Sequence, residues 1–142
     1  VLKLQSGALE ADVTLNGEHM ASLKPREWLV DQVMNAYMFR LQERDNGRRE
    51  LDSFRRPCHF YSTFFMTTAL LPQGSSYSHA NVRTWSRKII STNGDIFGLD
   101  KLFIPVNIKD SHWTLVVAFI SEKRLQYYDS MGGSGTQYLE AL

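Results

Sequence analysis

The sequence has 142 residues, 43% hydrophobic and 22% charged, which is the size and balance of one globular domain with its own core. Lys and Arg total 16 against 15 Asp and Glu, so a net charge of +1 gives no overall attraction to nucleic acid or anionic membrane. The longest apolar stretch, residues 115–120, is far too short to span a bilayer. The single cysteine, Cys58, excludes an internal disulfide and favours a reducing compartment.

The first half of the sequence is patterned for helices. Pro25 suits the first turn of a helix, and apolar residues then recur three or four positions apart from Trp28 to Leu41. Asn46 and Gly47 both tolerate positive φ, so the first helix is predicted to end there. Further predictions for this half are a polar loop at 48–57, a second helix at 61–71 and a third helix with a basic outer face at 79–90.

The second half of the sequence is patterned for strands. Segments 102–108, 112–120 and 124–128 are short, rich in β-branched and aromatic residues, and separated by turn signals. Segment 112–120 is apolar on both faces, so it is predicted to be a central strand. The link at 121–123 is short enough to make the second and third strands an antiparallel hairpin.

The end of the sequence combines a glycine-rich loop at 129–135 with the first turns of a helix at 137–142. Helices followed by strands predict an α+β domain, with a helical N-terminal part and a small, mostly antiparallel sheet. A hairpin followed by half a helix is an unusual end for a domain. We therefore expect the fold to be incomplete at its C-terminus, with Leu142 as a truncation point.

Two residues of the predicted hairpin form a candidate catalytic pair. His112 opens one strand and Asp129 closes the next, so antiparallel pairing brings them to the same end of the sheet. A carboxylate beside an imidazole fixes its tautomer and stabilises the imidazolium as it forms, which is the arrangement of a general base. The sequence alone does not fix the register, so whether both side chains share a face stays open.

A series of motifs extends from about residue 14 to the end of the chain. They are 23–31 (LKPREWLVD), 62–65 (STFF), 82–85 (VRTW), 103–107 (FIPVN), 111–113 (SHW) and 127–130 (YYDS). In order and spacing they resemble the Ulp1 family of papain-like, sentrin-specific (SUMO-deconjugating) cysteine proteases. The resemblance implies that residues 1–142 are part of such a catalytic domain, with 1–13 as a possible extension.

The resemblance assigns roles to the catalytic pair. It implies that His112 and Asp129 are the first two members of a His, Asp, Cys triad. The nucleophilic cysteine and an oxyanion-hole glutamine would follow Asp129 by some tens of residues, beyond the last residue of this chain. Cys58 lies upstream of His112, in the wrong order for the family, so we expect a structural thiol there and no activity from the chain as given.

The resemblance also implies a binding site for a ubiquitin-like protein. Trp28 and Trp113 correspond to tryptophans that close over a Gly-Gly tail, and a narrow aromatic slot favours glycine because glycine has no side chain. Asp31 corresponds to a carboxylate that pairs with a basic residue of the partner. Val30 stands where the family more often has asparagine, which leaves the identity of the ubiquitin-like protein open.

The implied function is a cysteine protease specific for a ubiquitin-like protein, with SUMO as the first expectation, cleaving peptide or isopeptide bonds after Gly-Gly. We expect no metal, cofactor, nucleic-acid or membrane partner, and a location in the nucleus or cytoplasm. The main alternative is a catalytically dead pseudoprotease that only binds a ubiquitin-like protein. A weaker alternative is a basic adaptor acting through the third helix. The loop at 132–135 lacks the Lys-Ser/Thr ending of a phosphate-binding loop.

Overall fold

The structure is a computed structural model that describes residues 2–4, 13–72 and 76–142. Its strands are β1 (Leu2–Leu4), β2 (Val13–Leu15), β3 (Cys58–Phe60), β4 (Lys101–Ile108), β5 (His112–Phe119) and β6 (Arg124–Tyr128). Its α-helices are α1 (Gly17–Ala21), α2 (Asp31–Leu51), α3 (His79–Val82) and α4 (Thr136–Glu140), with a π-helix at Phe65–Leu70 and 3-10 turns at Trp85–Lys88, Ile90–Thr92 and Ile96–Gly98. No helix within these described ranges is both long and apolar enough to cross a membrane.

The N-terminal strands β1 and β2 form a two-stranded antiparallel sheet, separate from the main sheet. Of the possible extension at 1–13, residues 1 and 5–12 lie outside the described part of the chain. β2 leads into the short helix α1, whose first turn is capped when Asn16 Oδ1 accepts a hydrogen bond from the His19 backbone N–H at 2.9 Å. β2 also packs on α2 through Leu15 and Phe39.

A four-stranded sheet organises the rest of the domain, in the order β3, β4, β5, β6. β4 and β5 pair along their whole length as an antiparallel hairpin, from Lys101 opposite Phe119 to Ile108 opposite His112. β6 is antiparallel to β5, whereas β3 is parallel to β4. The architecture is α+β with a mostly antiparallel sheet, and the three strands predicted from the sequence are confirmed to within one residue at each end.

The central strands β4 and β5 supply the middle of the core. Ile104, Val106 and Val116 expose none of their surface, and burial of such side chains contributes roughly 1.5–3 kcal/mol each. Phe65 from the π-helix and Ile89 from the turns that precede β4 pack in the same cluster. The helical and stranded halves of the chain therefore share one core, which fixes the position of the β4–β5 hairpin.

The predicted start of the first helix at Pro25 is wrong. Arg26 adopts a positive φ of 69°, which no α-helix tolerates, and Val30 is still extended when it caps α2. The helix therefore begins at Asp31, six residues later than predicted. As a consequence Trp28 lies on an irregular segment outside the helix, where 66% of its surface is exposed.

The predicted end of that helix at Asn46-Gly47 is also wrong, because α2 continues to Leu51. Asn46 accepts a hydrogen bond from the Gln42 side chain one turn earlier, at 3.2 Å, and neither Asn46 nor Gly47 has a positive φ. α2 also contacts β3, through Met38 in the cluster with Cys58 and Phe60 and, nearer its C-terminus, through Asp45, and such tertiary contacts commonly override weak local preferences.

The short strand β3 was not foreseen, because it falls between the predicted loop and the predicted second helix. All its side chains are buried, so it carries no polar alternation. α2 covers its outer edge: Gln42 accepts from the Phe60 N–H at 3.2 Å and donates to the Cys58 carbonyl at 3.2 Å. Asp45 accepts from the Cys58 N–H at 2.8 Å. These side chains satisfy backbone groups that would otherwise form an open sheet edge.

The second and third predicted helices are shorter than predicted. The second is a π-helix limited to Phe65–Leu70, because Tyr61 still pairs with β4 through its N–H and the Phe103 carbonyl at 2.9 Å. The third breaks into α3 and two 3-10 turns, where Ile89 leaves helical geometry at ψ 79°. Trp85, in the first of these turns, lies edge-on to Phe65 with ring centroids 5.2 Å apart, so this segment packs on the core without forming one regular helix.

Candidate active site

The turn between β4 and β5 places His112 at the first position of its strand. Lys109 and Asp110 both have positive φ, 51° and 55°, and the Ser111 N–H donates to the Ile108 carbonyl at 3.1 Å. Two successive residues with positive φ are typical of the tight β-turns that connect hairpin strands, because the twist of such a turn matches the twist of the strands. Because Ile108 pairs directly with His112, the imidazole is carried on the rigid end of the sheet.

His112 and Asp129 are in direct contact. His112 Nε2 lies 2.5 Å from Asp129 Oδ1, and their side chains are 18% and 5% exposed. The same carboxylate oxygen accepts from the Met131 N–H at 2.8 Å, and Oδ2 accepts from the Gly133 N–H at 3.1 Å. These donors, with the His112 hydrogen bond as the largest influence, hold the pKa of Asp129 below its ordinary value, so the carboxylate is ionised at neutral pH.

An ionised carboxylate only accepts hydrogen bonds, so His112 Nε2 must carry the proton of this contact. In the neutral ring Nδ1 is then the basic nitrogen. Nδ1 makes no hydrogen bond to any residue that the structure describes. The arrangement is that of a histidine base held in one tautomer by its carboxylate partner.

The loop that follows Asp129 depends on glycine at two positions. A Cβ on Gly133 would overlap Asp129 Oδ2, and a Cβ on Gly135 would overlap the ring of Tyr127. Gly135 also has a positive φ of 61°. Tyr127 in turn stacks on Tyr138 of α4, with ring centroids 6.0 Å apart. The loop is thus folded back closely enough for its backbone to hold the carboxylate.

Trp113 connects the site to the N-terminal segment. Its Nε1 donates a 2.8 Å hydrogen bond to the Leu29 carbonyl, and its ring is half-buried. The exposed Trp28 is the neighbour of Leu29, so this bond holds the Trp28 segment against the start of β5. The structure therefore places both predicted tryptophans in one region of the surface, beside the strand that begins with His112.

Asp31 lies in the first turn of α2, where a carboxylate is favourable to the helix dipole. It lines a cavity of about 460 Å³ together with Asn107 and Gln137. Asn107 Oδ1 is buried in this region without a hydrogen-bond partner among the described residues. Lys109 and Asp110, from the turn that precedes His112, line the same cavity. Nothing in the described part of the chain connects Asp31 directly to His112.

Residues 27–142 match the model of the Ulp1 protease family, C-terminal catalytic domain. This chain belongs to the Ulp1 protease family. The chain is 38% identical over 133 residues to Ubiquitin-like-specific protease 1A of Arabidopsis thaliana, a match that covers 93% of this chain and 25% of that protein. It is 32% identical over 123 residues to a Sentrin-specific protease of Caenorhabditis elegans, covering 87% and 16% respectively. It therefore spans a quarter or less of these Ulp1-family relatives.

Solved structures of Ulp1 share the fold. SUMO protease Ulp1 with its catalytic cysteine oxidised to a sulfinic acid gives a TM-score of 0.68 at 22% identity, covering 94% of this chain and 55% of that chain. The C-terminal Ulp1 protease domain in complex with SMT3, the yeast ortholog of SUMO, gives 0.61 at 25% identity, covering 88% and 49%. This confirms the papain-like fold predicted from the motifs.

The position of Cys58 within this Ulp1-type fold separates it from His112 and Asp129. Cys58 pairs with Lys101 at one end of β4, whereas His112 pairs with Ile108 at the other end. The two ends are seven residues apart along β4, or roughly 23 Å at the rise of a strand. Burial, reinforced by the nearby charge of Asp45, raises the pKa of the Cys58 thiol. Cys58 therefore cannot serve as the nucleophile for His112.

Sequence reasoning missed the backbone groups of this Ulp1-family site. The Met131 and Gly133 N–H groups hold the carboxylate, and the Leu29 carbonyl anchors Trp113. The glycine-rich stretch after Asp129 was a signal for the first of these, because glycine permits close backbone approach. The Leu29 contact joins segments 84 positions apart and had no sequence signal.

Proposed function

We propose that the protein is a cysteine peptidase that hydrolyses the peptide or isopeptide bond after the Gly-Gly terminus of a ubiquitin-like protein, with SUMO as the first candidate. His112 is the general base and Asp129 orients it. The observation that carries this proposal is the 2.5 Å contact between them, where β5 begins and β6 ends in a chain of the Ulp1 family.

The nucleophile in this proposal is a cysteine that follows residue 142 in the intact protein, as the order of motifs in the family implies. His112 Nδ1 takes the thiol proton, and the resulting imidazolium is stabilised by the ionised Asp129. The thiolate attacks the glycine carbonyl, the amine leaves with a proton from His112, and an acyl-enzyme forms. Water then attacks the thioester, again with His112 as base, and releases the Gly-Gly carboxylate.

The proposed substrate contacts lie next to the pair. Trp28 and Trp113 form the slot for the Gly-Gly tail, and the hydrogen bond from Trp113 to Leu29 supports their common position. Asp31, at the start of α2, pairs with a basic residue of the ubiquitin-like protein. The solved complex of a Ulp1 protease domain with SMT3 supports a partner of the same class for this chain. Action on its conjugates in the nucleus or cytoplasm belongs to the same proposal.

The test uses the intact protein and a linear fusion of SUMO, ending in Gly-Gly, to a reporter. We expect cleavage directly after Gly-Gly and loss of cleavage in His112→Ala. His79→Ala is the matched control, because His79 is an exposed histidine on α3, away from the pair. The cleavage rate of a parallel ubiquitin fusion, compared with that of the SUMO fusion, shows whether SUMO is preferred. Equal activity of wild type and His112→Ala would disprove the assigned mechanism.

A binding-only pseudoprotease is the second candidate, and the position of Cys58 is the observation behind it. The only cysteine among residues 1–142 is buried in β3, opposite Lys101 at the end of β4 that is remote from His112. The same experiment separates the two functions when a SUMO probe with a thiol-reactive C-terminus is added. Covalent labelling supports the peptidase, whereas saturable SUMO binding without cleavage or labelling supports the pseudoprotease.

A further inference from the structure

A second cavity lies away from the catalytic pair, between the C-terminal half of α2, β3 and the 3-10 turns that follow α3. Its volume is about 400 Å³, which is within the range of small-molecule sites. Most of the residues that line it carry polar or charged groups: Asn46, Arg49 and Glu50 from α2, His59 from β3, and Lys88 and Ser91 from the turns. No function proposed above uses any of these side chains.

His59 is the feature that distinguishes this cavity from an ordinary surface depression. Only 7% of the residue is exposed, and its ring lies edge-on to Tyr61, with ring centroids 4.7 Å apart. The imidazole makes no hydrogen bond to the residues that the structure describes. A buried polar group without a partner is unfavourable unless water or a ligand supplies one. His59 therefore has hydrogen-bonding capacity to offer a molecule in the cavity.

The side chains around His59 are mainly hydrogen-bond donors. Arg49 is half-buried and forms no ion pair with the residues that the structure describes. Lys88 lies over the ring of Trp85, 5.2 Å from its centroid, so its chain is held at the cavity wall. Ser91 adds a hydroxyl. Among the lining side chains Arg49 and Lys88 are the cations, and Glu50, an exposed carboxylate, is the anion.

Asn46 adds one further donor. Its carbonyl oxygen already accepts from Gln42 at 3.2 Å, so the side chain turns its amide NH₂ to other partners. Gln42 uses its own amide on β3 and on Asn46, and is therefore structural. A lining of guanidinium, ammonium, amide, hydroxyl and imidazole N–H groups matches a multiply charged oxyanion, which accepts several hydrogen bonds at once.

We propose that this cavity binds a phosphate group, either as the free ion or as the monoester of a small molecule, with Arg49 and Lys88 as the charged contacts and His59 and Ser91 as hydrogen-bond donors. The cavity is larger than phosphate alone requires, so it has room for an attached organic group beside Ile90. The proposal is independent of the peptidase activity, because none of His112, Asp129, Trp28 and Trp113 lines this cavity.

The test is calorimetric titration of the intact protein with inorganic phosphate and with phenyl phosphate, at an ionic strength kept constant with chloride. We expect saturable binding with one site per molecule. Arg49→Gln and Lys88→Gln should each weaken it about tenfold, the effect of losing one charge-assisted hydrogen bond. Arg44→Gln is the matched control, because Arg44 is an exposed arginine on the same helix. It should leave the affinity unchanged.

The two probes separate the sources of the phosphate. Tighter binding of phenyl phosphate indicates a monoester, and equal binding indicates the free ion. Absence of saturable binding to either probe overturns the proposal. So does an equal loss of affinity in Arg44→Gln and Arg49→Gln, because that result indicates general attraction to a basic helix. Unchanged thermal unfolding of each variant shows that the fold is intact.

Discussion

The indole N–H of Trp113 donates a 2.8 Å hydrogen bond to the Leu29 carbonyl, across 84 positions of the chain. The bond joins the first residues of β5, including His112, to the irregular segment that carries Trp28. In the proposed peptidase this segment and Trp113 hold the Gly-Gly tail, so the bond fixes the substrate relative to the base.

Replacement of Trp113 by Phe removes this donor and retains an aromatic ring. We expect the free energy of unfolding of the intact protein to fall by about 1 kcal/mol, the usual contribution of one hydrogen bond. The KM for the SUMO fusion should rise more than kcat falls, because the change affects tail binding more than the base. Tyr37→Phe, which alters an exposed aromatic residue of α2, is the control. A fall in kcat with an unchanged KM would contradict the proposed role of Trp113 in binding the Gly-Gly tail.

Replacement of Asp129 by Asn tests its role as the orienting carboxylate. Asparagine keeps the shape but can donate to His112 Nε2, which favours the wrong tautomer of the base. We expect kcat/KM to fall on the order of 10⁴-fold. Asp110→Asn removes a carboxylate from the nearby hairpin turn and should leave kcat/KM within about twofold of wild type. Similar losses in both variants would point to a general electrostatic effect.

Replacement of Gly133 by Ala tests whether the loop backbone positions Asp129. The added Cβ overlaps Asp129 Oδ2, so the carboxylate must move and the hydrogen bond from the Gly133 N–H is strained. We expect kcat/KM to fall by about 100-fold, since small displacements of catalytic groups have effects of that size. Gly47→Ala is the control. A Cβ there has nothing within 4 Å and should stabilise α2 by about 0.5–1 kcal/mol without changing activity.

The buried His59 predicts how stability changes with pH. Burial lowers its pKa to about 4, below the ordinary value near 6.5, so the unfolded chain binds this proton more readily than the folded protein. Stability is therefore lost as the pH falls from about 6.5 to about 4, by roughly 3 kcal/mol in total. Urea unfolding at several pH values should show this loss in wild type. The loss should be absent in His59→Gln, and an identical pH profile in the two proteins would refute the assignment.

The Gln42 side chain should be important for folding, because it satisfies the backbone of β3. Gln42→Leu leaves the Phe60 N–H and the Cys58 carbonyl without partners at a buried sheet edge. We expect a loss of about 2–4 kcal/mol in the free energy of unfolding. Denaturant unfolding of the intact protein checks this value. Glu43→Leu, at the next and exposed position of α2, should change stability by less than about 1 kcal/mol.

The sequence predicted the β4–β5–β6 part of the fold closely, because apolar runs there are bounded by clear turns. It predicted the helices less well. The positive φ of Arg26 and the packing of α2 on β3 depend on tertiary structure and override the local pattern from Pro25 to Gly47. β3 is too short and too uniformly buried to carry a periodic signal.

The sequence placed His112 and Asp129 at the same end of the sheet, and the structure brings their side chains into contact. The register that makes this possible pairs Leu115 with Tyr128, and it was not available from the pattern alone. The hydrogen bond from Trp113 to the Leu29 carbonyl could not be predicted either. Every residue has a backbone carbonyl, so the sequence does not mark Leu29 as the acceptor.

The Asp129 carboxylate is held by main-chain N–H groups of Met131 and Gly133, which every residue except proline provides. The side chain of Met131, 79% exposed, therefore adds nothing to the hydrogen bond made by its own N–H. Any residue except proline at position 131 can therefore make the same hydrogen bond, while Gly133 is confined by the space the carboxylate needs. The outer surface of this loop can thus change its side-chain chemistry without disturbing the contact between Asp129 and His112 beneath it.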